Sequence, residues 1–115
     1  MQNQIETLLE NIKNDYLCGM TSQRSRSYDD LEDHAKDMIS EFNEGLEVRE
    51  GSKYIKIMSK HSVWGFVVKG DNDKKFQQGD ILKAAGWATP ARNHARGNIL
   101  EGGYTVRWTG PLYIQ

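Results

Sequence analysis

Arg92 and Arg96 are the residues of this chain whose type and spacing most suggest chemistry. They stand four apart in a segment that opens with Thr89-Pro90, a helix cap followed by proline at the first helical position, and closes at Gly97, a helix stop. A short helix near residues 90–96 is therefore expected, with both guanidinium groups on one side of it. Guanidinium groups hold phosphate through paired hydrogen bonds, and a helix start offers unpaired amides. With Lys83 and His94 nearby, the combination suits a nucleic-acid backbone or another anion. The competing reading is structural: one arginine braces the sheet through loop carbonyls, or pairs with acidic residues of the N-terminal half.

Aromatic residues crowd the same half of the chain: Trp64, Phe66, Trp87, Tyr104, Trp108 and Tyr113. Exposed aromatics set between cations form stacking platforms for single-stranded bases. Trp87, in a loop beside Pro90, is the one expected at the surface. Trp64, Phe66 and Val68 share one face of a strand, as do Tyr104, Val106 and Trp108, and at least one of these rows is expected in the core. Arg107, on the last strand, completes the set of cations read as a basic face.

Other chemistry finds little support. His34, His61 and His94 are too far apart for metal-ligand spacing. Cys18 follows an apolar helix, where a buried inert thiol is expected. Gly65, Gly70 and Gly79 follow no phosphate-loop pattern, and no nucleophile elbow is present. Asp29, Asp30, Glu32 and Asp33 read as first-turn charges of a helix. The expectation is a non-enzymatic protein with no catalytic residue, no metal site and no cofactor.

The elements that must position these residues follow from periodicity. Ile5, Leu8, Leu9, Ile12 and Tyr16 form one helical stripe over Gln4 to Leu17, with Gly19 as its stop and Thr21 to Arg26 as a loop. A second helix is expected from a Ser27 cap, burying Leu31, Ala35, Met38, Ile39 and Phe42 and ending near Gly45. The period then becomes two: a short strand at Leu46 to Arg49, one at Lys53 to Met58, a turn at Lys60-His61, and one at Val63 to Val68. Phe76 and Ile81 to Lys83 are expected to pair back, and a last strand spans Tyr104 to Trp108, broken by Gly110-Pro111. The fold class is α+β, with two N-terminal helices packed on a mostly antiparallel sheet of about four strands. One domain is expected over 115 residues, with an acidic helical part at 1–45 and a basic β-rich part at 46–115.

Composition agrees: 37% hydrophobic residues suffice for a core, and no apolar run is long enough to span a bilayer. The first residues lack the order of an export signal, and one cysteine permits no internal disulfide, so a cytoplasmic location is expected. The net charge of −1 hides a division. Residues 1–50 hold 12 acidic and 5 basic residues, whereas 51–115 hold 4 acidic and 10 basic. A basic surface for a polyanion is one outcome of such asymmetry; mutual attraction of the halves within one fold is another.

Ser62 to Val67, Gly79 to Trp87, Pro90-Ala91, Ala95 to Asn98 and Trp108 to Pro111 resemble a family of small uncharacterised proteins of tailed bacteriophages, many marine, and of related metagenomic sequences. The likeness covers about residues 52–115 and brings no assigned activity. It implies an accessory protein made in the bacterial host cytoplasm. Together the residues point to non-specific DNA or RNA binding through Lys83, Trp87, Arg92, His94, Arg96 and Arg107. The alternative is an interaction module whose acidic helices or sheet edge dock on a host or virion protein, or on a second copy of the chain.

Overall fold

The computed structural model describes residues 2–24, 31–60 and 62–111. Helix α1 (Gln2–Arg24) buries Ile5, Leu8 and Ile12, with Leu9 and Tyr16 packed at their margin. The helix does not stop at Gly19. Met20 carries the apolar stripe one turn further and packs against Leu31, Ala35 and Ile39, which outweighs the helix-weakening glycine. Thr21, expected in a loop, donates its hydroxyl to Leu17 O at 2.9 Å within the helix. Helix α2 (Asp33–Gly45) buries Ala35, Ile39 and Phe42. It starts later than the expected cap, and Ser27 lies outside the described residues.

The chain passes from Gly45 directly into strand β1 (Leu46–Glu50), then β2 (Tyr54–Ser59), β3 (Ser62–Val68) and β4 (Ile81–Lys83). These form one antiparallel sheet in the order β1-β2-β3-β4, so the fold is α+β with two helices on a four-stranded sheet. His61, placed at the β2–β3 turn by the sequence, lies outside the described residues.

Both sheet faces are apolar. Ile55, Ile57, Val67 and Ile81 meet the helices through Ile5, Leu8, Ile12 and Phe42. Phe66, Val68 and Leu82 point the other way, where Phe76 covers them from the loop before β4 instead of extending a strand.

Trp64 departs from simple alternation. The register pairs Ile57 with Gly65 and Met58 with Val63, leaving Trp64 as the extra residue of a β-bulge. The bulge turns its ring away from Phe66 and into the helix-side core, where its indole N–H donates to Arg107 O at 2.8 Å. Gly65 is required beside it, since a Cβ there would stand 2.8 Å from Leu82 O.

A small ladder of β5 (Val106–Arg107) and β6 (Gly110–Pro111) packs beside α1 and β3. The expected strand from Tyr104 to Trp108 is thus shorter, and Gly110-Pro111 pairs with it instead of only breaking it. Trp108 sits edge-on to the stacked rings of Tyr16 and Phe42, with centroids at 5.2 and 6.0 Å. Its backbone N–H donates to Asp15 Oδ2 at 2.9 Å.

The expected helix at 90–96 is absent. Six residues make a helix of marginal stability at best, whereas β4 presents an edge of unpaired backbone groups. The edge wins. Ala91 N–H donates to Lys83 O at 2.7 Å, Arg96 N–H to Ile81 O at 2.7 Å, and Ile81 N–H to Gly97 O at 2.8 Å. Asn98 then locks the end of this segment. Its Nδ2 donates to Gln78 O and Asp80 Oδ1, each at 2.9 Å, and its Oδ1 accepts from the N–H groups of Leu100 and Glu101 at 2.8 and 3.1 Å. Gly79, at φ +89°, brings the turn close enough that a Cβ would lie 3.0 Å from that same oxygen.

Asn98 is 7% exposed, so removing its amide strands buried partners. Asn98→Ala is expected to lower stability by about 2–4 kcal/mol, read from the urea unfolding midpoint. A loss below about 0.5 kcal/mol would show that this clip is dispensable.

Candidate functional site

The residues singled out from sequence do not converge. Arg96 is buried, at 3% exposure, beside a cavity of about 410 Å³ that Asp80, Asn98, Gly102 and Tyr104 also line. Arg92 is half-exposed and points elsewhere, because the segment is irregular: it bends at Asn93 and advances five residues, from Ala91 to Arg96, against two of β4, so neither helical nor strand spacing relates the two arginines. Arg107 lies on the helix side, 3.8 Å from the Asp15 carboxylate. Lys83 shares its side of β4 with Ile81, the face opposite Leu82, and is exposed. His94 is exposed, and its backbone N–H donates to Asn93 Oδ1 at 2.9 Å. Trp87 is 56% exposed, at the tip of a turn where the N–H groups of Ala85 and Gly86 both donate to Thr89 O.

Arg92 acts as a brace. Its Nη1 and Nη2 donate to the two oxygens of Asp73 at 3.0 and 2.9 Å, and Nη1 also donates to the Tyr54 hydroxyl. Asp73 Oδ1 accepts in addition from the backbone N–H groups of Lys75 and Phe76 at 2.8 and 3.0 Å. The guanidinium and these two amides hold the Asp73 carboxyl well below the usual carboxylate range, and the carboxylate raises Arg92 above its usual value. Phe76 lies under the guanidinium with its centroid at 4.9 Å. One side chain thereby ties the loop before β4, the edge-covering segment and the start of β2 together.

A different set of cations gathers on the sheet face turned away from the helices. Lys56 pairs in register with Phe66, and its ammonium stands 4.3 Å from the centre of the Trp87 ring. Arg49, Glu50, Lys53, Tyr54, Lys56 and Phe66 line a shallow groove of about 340 Å³ beside Ala88. A second groove of about 540 Å³ shares Lys53 and Tyr54 with it and reaches Lys74 and Arg92. Lys53, Lys56 and Lys74 have no ion pair among the described residues. The acidic side chains of α2 lie beyond the opposite face, where Glu41 takes Lys60 at 3.6 Å. Alternation on β2 carried the signal for this face, since Lys56 falls out of phase with Ile55 and Ile57. The link to Trp87 depends on the path of the 84–98 segment.

Cys18, expected buried, is exposed on α1. No helix among the described residues is long and apolar enough to cross a membrane.

The architecture defines an α+β protein whose four-stranded sheet carries both helices on one face. By family the chain belongs to a family of unknown function (DUF7717), whose model matches residues 1–113 and so takes in the helical half as well. Neither a curated protein nor a solved structure matches it.

The ordinary value for Asp73 is 3.8 and the folded state lowers it, so the brace contributes fully above that pH and is lost as pH falls below it. Stability measured by urea unfolding is expected to drop as pH goes from 5 toward 3, and Asp73→Asn is expected to be less stable at pH 7 with a shallower acid loss. Parallel pH profiles for the two proteins would contradict this role.

Proposed function

We propose that this protein binds single-stranded nucleic acid, without strong sequence preference, through the outer sheet face. The observation that carries the reading is Trp87, largely exposed and held over Lys56, beside a groove edged by Arg49 and Lys53. Phosphates would be neutralised by Lys53, Lys56 and Lys74, while the indole offers a face for a base. Of the residues first read as a basic face, Trp87 keeps a contact role. Arg92 sets the groove wall through Asp73, Arg96 supports the sheet from within, and Arg107 and Lys83 belong to the other side. His94 is exposed, two residues from Arg92 in sequence, and has no part in this reading. No catalytic residue, metal or cofactor enters this reading. The phage-like motifs support an accessory role in the cytoplasm of an infected bacterium.

Fluorescence anisotropy with a labelled oligothymidylate across a salt series tests the proposal. With about three or four phosphates neutralised, the slope of log K against log salt is expected near −2 to −3. Lys53→Ala with Lys56→Ala is expected to flatten it by about 1.4 and to weaken binding about tenfold or more. Trp87→Ala is expected to weaken binding at unchanged slope. Binding that ignores salt, or survives the double substitution intact, would remove the proposal.

A further inference from the structure

The two sheet edges are treated differently. The outer edge of β4 is covered by residues 91–97 through the backbone bonds described above, whereas β1 pairs only with β2 and its last four residues are exposed. The parity of the free edge can be read from the hairpin. Gly51 N–H donates to Tyr54 O and Lys60 N–H donates to Gly45 O, which places residues 45, 47, 49 and 51 in the hydrogen-bonded pairs with β2. The backbone N–H and C=O groups of Leu46, Val48 and Glu50 therefore point outward, away from the sheet.

We propose that this edge pairs with β1 of a second copy of the chain, antiparallel and centred on Val48. That register satisfies both faces and the backbone together. Val48 meets its own counterpart in a hydrogen-bonded pair, and Leu46 exchanges backbone bonds with Glu50 of the other copy. Glu47 of each copy then stands opposite Arg49 of the other in the closer, non-hydrogen-bonded pair, on the outer face. Within one chain these two side chains already sit 3.2 Å apart and are more than half exposed, so both are free to exchange partners. On the helix side, Val48 is 39% exposed beside a groove of about 640 Å³ whose lining combines Ile5, Leu9 and Ile55 with the charged Glu6, Glu50 and Lys69. The partner's Leu46 and Val48 side chains arrive there.

Two-fold pairing of this kind is closed: it uses the open edge of each copy, and the covered β4 edges offer no further strand site, so a dimer forms rather than a fibre. Val48 supplies apolar contact, and the Glu47–Arg49 exchange is what selects a second copy. Arg49 also edges the groove proposed for nucleic acid, so the dimer is read by mass in protein free of nucleic acid.

Sedimentation velocity of the full chain over a concentration series is the test. The native chain is expected to reach twice the chain mass as concentration rises. Val48→Pro removes an outward N–H while leaving the bonds to β2, and is expected to weaken the dimer on the order of 100-fold in a chain whose circular dichroism is unchanged. Glu47→Arg sets cations opposite each other and is expected to weaken it about tenfold or more, with recovery when Arg49→Glu is added. That charge pair of variants decides the matter should the proline variant not fold. A native chain monomeric at every concentration, a dimer indifferent to Val48→Pro in a folded chain, or no recovery in the double charge exchange would overturn the proposal.

Discussion

Ile81 spends both of its outward backbone groups on the segment that follows β4, giving its N–H to Gly97 O and taking the N–H of Arg96. Much of the molecule is arranged by that contact. It draws residues 91–97 along the sheet edge, sets Asn98 against the Gln77–Asp80 turn, and lowers Ala95 onto the apolar layer around Phe66 and Leu82. With the segment fixed at that end, Arg92 reaches Asp73 and the turn at 85–89 lifts Trp87 above the sheet next to Lys56. Both the brace and the groove are consequences of how an edge strand found its partners.

Charges of both signs meet on each side of the sheet. Helix carboxylates collect on one side, where Asp15 and Glu41 take up Arg107 and Lys60. On the other side, Lys53, Lys56 and Lys74 remain without an ion pair among the described residues, with Arg49 and Arg92 half-engaged by carboxylates on their own face. Attraction between the halves, one of the outcomes the sequence offered, is visible in the Asp15–Arg107 and Glu41–Lys60 pairs.

Most elements were legible because burial enforces period. The stripe from Ile5 to Tyr16, the one from Leu31 to Phe42, and the alternation of Ile55 and Ile57 all mark faces that the fold buries. What failed was local grammar overruled from afar. Thr89-Pro90 and Gly97 carry good helix caps, yet nothing in those residues announces that β4 will need an edge partner. Trp64 looks in phase with Phe66 until a bulge, set by pairing with β2, shifts it by one. Gly19 reads as a stop unless Met20 is known to meet Leu31. The candidate site suffered likewise: the arginines were conspicuous by spacing, but a salt bridge absorbed one and the core the other, while the lysines of β2 hid in an ordinary alternation.

Amide hydrogen exchange followed residue by residue tests the edge pairing most directly. The amides of Ile81 and Arg96 are expected to exchange as slowly as that of Val67 in the middle of the sheet, far behind that of Gly103 in an exposed turn. Exchange of Arg96 at the rate of that turn would mean that the segment does not hold the edge, and the brace, the clip and the basic groove would lose their common support.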